Sequence, residues 1–306
     1  MTSLYPAGVV SPPPRLRVGV IGSGRVGAVL GAALRRTGHA VVACSARSDL
    51  SRVRAEALLP GVPIAPPRDV AAQCDLLLLA VPDDRLPEVV ADLAPAVRDG
   101  QIVMHVSGRL GLDVLAPLGG VLPIAAHPVM TFTGTSLDLE RLEDCPFGVT
   151  APDAVRPIAE ALVVEMGGEP VWVEEGSRAL YHVALAHGAN HLVTLVAQTL
   201  DMLSSAGVSD PAVLARPLLT AALDNALREG DAALTGPIAR GDVSTVRAHL
   251  IELEGCDEAT LAAYLALARA TLDRAFVRGT VDAIRAEEIG HLLDAAGAPW
   301  EHGGLP

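Results

Sequence analysis

The chain has 306 residues, about two domains' worth, with half of them hydrophobic and 19% charged. That balance excludes a disordered chain and leaves ample side chain for a core. A formal charge of −13 argues against nucleic acid as a partner, because such affinity rests on neutralising phosphates. All 23 basic residues are arginine, so Schiff-base chemistry, a Walker-A phosphate loop and a lysine general acid are ruled out.

Residues 1–14 hold Pro12, Pro13 and Pro14 and no charged residue, which reads as a loose arm rather than a signal peptide. From 15 to 175, short apolar runs alternate with helical stretches, the pattern of a parallel sheet in an α/β domain. The expected strands are Arg17–Ile21, Ala40–Ser45, Val62–Ala65, Leu76–Val81, Ile102–Val106, Leu122–Ala126, Phe147–Thr150 and Pro170–Val173. Their continuous Val, Ile, Leu and Ala runs suit strands covered on both faces. Helices are expected at about Arg25–Thr37, Arg68–Gln73, Arg85–Val97, Leu110–Pro117 and Asp153–Met166.

Residues 176–296 read as an all-helical second domain. A long helix runs from about Ser177 to Ala206 and stops at Gly207; a second starts at Asp210 with Pro211 in its first turn. Others follow at Asp242–Leu253, Asp257–Arg278 and Ala283–Ala296, and 297–306 reads as a frayed tail. The apolar stretch Ala179–Leu203 is broken by His182, His187, Asn190, His191, Gln198 and Asp201, so it is expected to be an amphipathic buried helix and not a membrane span. Cys44, Cys74, Cys145 and Cys256 are spread singly, which suits free thiols in a reducing, cytoplasmic compartment. Charge is uneven: residues 1–150 carry 13 Arg against 14 acids, and residues 151–306 carry 10 against 22. The first half is the better host for an anionic ligand.

Gly22-Ser23-Gly24-Arg25-Val26-Gly27 follows the first strand and opens a helix. Gly22 permits a tight turn, Gly24 lets backbone approach a pyrophosphate, and Gly27 allows close helix–strand packing. This is the arrangement of a Rossmann-type dinucleotide site, with the helix N-terminus offering N–H donors. The second strand ends without an acid before Asp49; Ser45, Arg47 and Arg52 instead offer donors suited to a 2′-phosphate, which points to NADP(H). Val81 and Pro82 leave the sheet where they could line the nicotinamide side, although a proline can simply stop a strand.

The N-terminal part resembles the NADP-binding domain shared by ketopantoate reductase, pyrroline-5-carboxylate reductase and the β-hydroxyacid dehydrogenases. A more specific resemblance is to predicted oxidoreductases that join a Rossmann-like domain to the domain of unknown function 2520 (DUF2520). It is carried by His105-Val106-Ser107-Gly108, by His127-Pro128-Val129-Met130-Thr131-Phe132, by Tyr181-His182 followed by Asn190, and by the segment from Leu234 through Pro237 and Arg240 to Asp242. The resemblance implies a Rossmann domain followed by a helical domain, in a homodimer.

In the better-known relatives a lysine one helical turn before an asparagine donates the proton. Asn190 matches that asparagine, but Ala186 stands four residues before it. His182, His187 and His127 are the substitutes to weigh. Helical spacing puts His182 and His187 on either side of Asn190, and the Tyr181-His182 motif favours His182. His127 serves either the chemistry or the bracing of Thr131 and Phe132. Ser107, with the Gly108 N–H, would hold the nicotinamide amide or a substrate carboxylate, or else cap a helix. Thr235 and Arg240 read either as an anion clamp or as a capped turn. The spacing of His187 and His191 invites a metal, but Gly188 stands where a zinc protease needs glutamate, and no metal is expected. The leading expectation is NADPH-dependent reduction of a small carboxylated carbonyl compound of the ketopantoate type. A cyclic imine reductase or a non-catalytic NADP(H)-binding sensor is the alternative.

Overall fold

A computed structural model describes residues 15–297; the expected arm at 1–14 and nearly all of the tail lie outside them. Contacts divide the chain into two compact units, 1–186 and 187–306.

The first unit is built on a seven-stranded sheet: β1 (Arg17–Ile21), β2 (Ala40–Ser45), β3 (Leu76–Leu79), β4 (Ile102–His105), β5 (Leu122–Pro128), β6 (Pro146–Thr150) and β7 (Glu169–Trp172). Their spatial order is β2-β1-β3-β4-β5-β6-β7. The first five run parallel; β6 is antiparallel to β5, and β7 follows β6. Leu76 to Leu79 are all buried, as a central strand covered on both faces requires. The helices α1 (Arg25–Arg36), α2 (Asp49–Leu58), α3 (Pro67–Ala72), α4 (Leu86–Leu93), α5 (Leu137–Arg141) and α6 (Arg156–Glu165) complete this unit. The two faces of the sheet carry separate apolar cores, one centred on Val20, Leu30, Leu78 and Phe147, the other on Leu77, Leu79, Val90 and Val103.

Several expectations change. Val62–Ala65 is not a strand: only Ile64 bridges Cys44, because Pro63 and Pro66 remove the donors that a ladder needs. Arg85–Val97 is α4 followed by a 3-10 turn at Ala94–Ala96, where Pro95 cannot continue the helix. Leu110–Pro117 is likewise a 3-10 segment, Leu112–Leu118. Two helices are additional, α2 and α5. Ser48 caps α2 through a reciprocal box with Ser51, a serine in place of the usual Glu or Gln.

The helix α7 (Arg178–Ser205) crosses the division between the units. It is not buried: Arg178 is its one buried residue, and Leu180, Val183 and Val193 are exposed. The second unit continues with α8 (Pro211–Glu229), α9 (Val243–Leu253), α10 (Glu258–Val277) and α11 (Ala283–Gly297), around a core of Val246, Leu272, Ala275, Ile289 and Leu293. No helix among the described residues is long and apolar enough to cross a membrane.

Candidate active site

The glycine loop is shaped by backbone contact. Gly22 has φ +92°, and a Cβ there would stand 2.5 Å from the Ala80 carbonyl oxygen. A Cβ on Gly27 would run into the Gly22 carbonyl oxygen and come within 2.8 Å of the Ala80 Cβ. Gly24 is the opposite case, with nothing within 4 Å of its Cβ position. Gly24 also occupies the N-cap of α1 with no side-chain cap and no acid in the first turn. The N–H groups of Arg25, Val26 and Gly27 are therefore the donors a helix leaves free at its start, beside open space. The residues present fit a diphosphate. Ser45 braces the loop: its Oγ accepts from the Gly22 N–H at 3.1 Å and its carbonyl from the Ser23 N–H at 2.9 Å. The Ser23 hydroxyl is buried beside the Cys44 thiol.

At the carboxyl end of β2, Ser45, Arg47, Arg52, Ile64, Ala65 and Pro66 line an open cleft of about 490 Å³. Neither arginine is ion-paired among the described residues. Asp49 lies in the first turn of α2, where a carboxylate complements the helix dipole. Val81 is half-buried, and its side chain stands 3.1 Å from the Cβ position of Gly22. Pro82 is exposed, and its carbonyl accepts from Arg85 and Leu86 as the chain turns into α4.

A second group of side chains assembles beyond β4 and β5, still within the first unit. Tyr181 and His182, on the first turns of α7, meet His127 from β5. The His127 Nδ1 lies 2.9 Å from the Tyr181 Oη, and the His127 and His182 rings stand 6.2 Å apart edge to face. The Gly148 backbone also bonds the phenol oxygen, and an oxygen that accepts from that N–H donates its own O–H to Nδ1, which leaves the imidazole proton on Nε2. Gly108 passes beneath both rings: a Cβ there would meet the His182 Cδ2 at 2.6 Å and the His127 Nε2 at 3.1 Å. Burial, with the Arg178 charge adding to it, pushes His127 down to about 4. At neutral pH it is therefore an uncharged hydrogen-bond donor, not an imidazolium acid. Burial pushes the Tyr181 phenol up, which keeps it protonated.

Ser107 is buried at the foot of this group. Its Oγ accepts from the Leu110 N–H at 3.0 Å, so it closes a turn, while its own proton stays available. His105 lies below, with Nδ1 accepting from the Ser107 N–H at 3.2 Å and Nε2 donating to the Gly111 carbonyl at 3.0 Å. That double use requires a neutral ring, and burial holds His105 at about 4.

The structure thus brings Ser107, His127 and His182 together and adds Tyr181, His105 and Arg178. Tyr181 and His182 follow Arg178 by three and four positions on one side of the helix, a spacing visible in the sequence; what was missing was the strand they face. Asn190, Thr235 and Arg240 belong to the second unit and are exposed there. The Thr235–Asp242 segment has the form of a capped turn: Gly236 and Gly241 have positive φ, and Asp242 caps α9 by accepting from the Thr245 N–H. His187 and His191 form a pair, Nδ1 to Nδ1 at 3.0 Å. No group of three or more metal-ligating side chains exists among the described residues.

Comparison with known proteins adds two matched family models, the Rossmann-like domain over residues 5–128 and the domain of unknown function DUF2520 over 145–271. The matched stretches hold most of the motifs that carry the resemblance. Among solved structures, BF3122 from Bacteroides fragilis, nominally an NADP oxidoreductase, superposes with TM-score 0.71 at 20% identity, covering 85% of this chain and 98% of that one. Protein TM1727 from Thermotoga maritima gives 0.64 at 21%, covering 85% and 99%. A pyrroline-5-carboxylate reductase from Coxiella burnetii gives 0.53 at 14%, covering 92% and 98%. These likenesses show the shared fold. A glycerol-3-phosphate dehydrogenase (NAD(P)+) from Geobacter sulfurreducens is 29% identical over 163 residues, 48% of this chain and 49% of that protein. A second, from Lactobacillus delbrueckii subsp. bulgaricus, is 32% identical over 117 residues, 35% of each. The chain spans half or less of the length of these curated relatives.

Proposed function

We propose that this chain, a Rossmann-like domain joined to a DUF2520 domain, is an NADPH-dependent oxidoreductase that reduces a small carboxylated carbonyl compound of the ketopantoate type. One observation carries the reading. The open glycine cradle after β1 and the Ser107, His127, Tyr181 and His182 group after β4 and β5 share one carboxyl edge of the sheet. Neighbouring strands lie about 4.8 Å apart, so the two are on the order of 10–15 Å from each other. Ligands of open α/β sheets bind at this edge. The relatives named for NAD(P)+ and NADP oxidoreduction support the same class.

When bound, a nicotinamide coenzyme supplies the hydride. The chain's own part is to hold the acceptor oxygen and provide its proton. As that oxygen takes the Nε2 proton of the neutral His127 imidazole, the Tyr181 phenol protonates Nδ1, and solvent reprotonates the phenolate left behind. This arrangement answers the lack of lysine. His182 flanks the same position, and the Ser107 hydroxyl is the second donor. Asn190, Thr235 and Arg240 are further proposed substrate contacts; Arg240 makes no ion pair among the described residues and suits an anion. A cyclic imine is the second reading, supported by the likeness to pyrroline-5-carboxylate reductase. The buried Arg178 charge disfavours it, because a protonated imine is itself a cation.

NADPH oxidation followed by absorbance with a panel of 2-oxo acids and cyclic imines tests the reading. The expected result is turnover of a 2-oxo acid, preference for NADPH over NADH, and about tenfold weaker NADPH binding in Arg47→Ala, the value of one charged hydrogen bond. Tight coenzyme uptake with no turnover would instead mark a sensor.

We also infer a homodimer. Leu214 and Leu218 are exposed on one side of α8 and Leu223 and Leu227 on the other, apolar surface that a solitary protein rarely shows to water. Light scattering is expected to give twice the chain mass, and Leu218→Asp to halve it. A wild-type monomer at micromolar concentration would refute the inference.

A further inference from the structure

We propose that Arg178 is a positioning residue, whose buried guanidinium locks the Ser107–Gly111 loop and holds the Tyr181–His127 pair in its neutral, phenol-to-imidazole form. The inference rests on reading that pair as the proton-donating side of the site, and it names a charge that acts with burial to set its protonation.

Arg178 is 1% exposed. Its Nε donates to the Leu110 carbonyl at 2.7 Å, Nη2 to the Ser107 carbonyl at 2.6 Å, and Nη1 to the Thr150 Oγ1 at 2.9 Å and the Gly148 carbonyl at 3.4 Å. One side chain therefore ties the loop after β4 and the strand β6 to the start of α7. Together with His105 and the Ser107 Oγ, it uses the Ser107 N–H and carbonyl, both Leu110 backbone groups and the Gly111 carbonyl. The loop under His127 and His182 is fixed at both ends.

All of these partners are neutral oxygens. No carboxylate makes an ion pair with Arg178 among the described residues; Asp83 and Glu175 act on it only from a distance. A buried charge without a counter-ion is costly, and an apolar side chain of similar volume would hold a purely structural position at less cost. The unanswered charge acts on what lies beside it. Tyr181 is on the same face of α7, with its ring centroid 6.0 Å from the Arg178 Cζ, and its phenol bonds His127. The groups facing His127 are Arg178, Tyr181 and His182 from α7 and Asp83 from beyond β3. Of these, only Asp83 is negative. A second proton on His127 is thus opposed by a fixed cation, and an acceptor oxygen gaining negative charge is favoured by it.

Nitrogen-15 histidine NMR on the full chain reads the effect without substrate. In the wild type, His127 is expected to stay neutral down to about pH 4. In Arg178→Met its titration is expected to rise by about one unit, while Arg178→Lys, which keeps the charge but not the fork, retains most of the depression. Amide exchange at Leu110 and Gly111 is expected to quicken in both. Ordinary His127 titration in the wild type overturns the proposal. So does an unchanged titration in folded Arg178→Met. Should that variant not fold, unchanged amide exchange in Arg178→Lys overturns the positioning role. NADPH calorimetry on the wild type tests the oxidoreductase reading separately: no uptake there would defeat it and leave the His127 result standing.

Discussion

Gly24→Val is expected to abolish coenzyme uptake while leaving the melting temperature within about 2 °C of wild type, a change of about 1 kcal/mol or less for a chain of this size. Gly24 has φ −78° and ψ −158°, extended backbone that a β-branched residue adopts readily, and its Cβ position meets nothing within 4 Å. A valine there brings its Cβ against no protein atom. It fills the space through which a diphosphate must pass to reach the N–H groups of Arg25, Val26 and Gly27. Loss of two charge-assisted hydrogen bonds corresponds to a weakening of about 100-fold or more. Gly27→Ala is the contrasting variant. Its Cβ would press on the Gly22 carbonyl and the Ala80 Cβ, neither of which can swing aside, so stability falls by about 1–3 kcal/mol along with binding. Calorimetric titration with NADPH beside thermal melts separates the two effects. Wild-type affinity in Gly24→Val would show that the diphosphate lies elsewhere.

Below pH 6.5 the protein is expected to lose stability steeply until about pH 4. His105 and His127 titrate near 4 when folded and near 6.5 when unfolded. Within that window the unfolded chain binds more protons than the native one, so stability falls as pH falls. Above the window the contribution is complete, and below it is gone. For His105, fully buried, two to three units correspond to about 3 kcal/mol. His127 contributes less, because its ring is partly open to solvent. Asp242, held at about 2 by bonds from Thr245 and Ser244, acts only at lower pH. Urea midpoints at pH 7, 5 and 4 check this. In His105→Gln, the amide can still donate to the Gly111 carbonyl and accept from the Ser107 N–H, so the acid slope should flatten by about half. An unaltered slope would remove His105 as the cause.

The glycine loop was legible because each of its requirements is local. The turn at Gly22 and the packing of Gly27 involve the end of β1, the first turn of α1 and the one strand next to them. Apolar run length likewise announced β1 to β4, and proline and aspartate marked the starts of α8, α9 and α10. The short, polar elements escaped. The helix α2 is capped by an unusual serine pair, and α5 is too short for a period to show. The run at Val62–Ala65 had the composition of a strand, but its prolines denied it a ladder.

The proposed reacting groups divide the same way. The sequence by itself determined the glycine loop proposed to hold a coenzyme, the all-arginine composition that removes a lysine donor, and the histidines proposed to replace it. Only the tertiary structure decided which of these meet. Arg178 and Ser107 are 71 residues apart in the chain, and His127 and Tyr181 are 54 apart; each pair is joined only because β4, β5 and β6 lie side by side, with β6 reversed. Charge state follows from that assembly, since burial and a neighbouring cation, neither readable from residue order, turn His127 from a group that titrates near neutrality into one that stays uncharged. Local conformation is written in adjacent residues, whereas desolvation and long-range hydrogen bonding exist only once the sheet has closed.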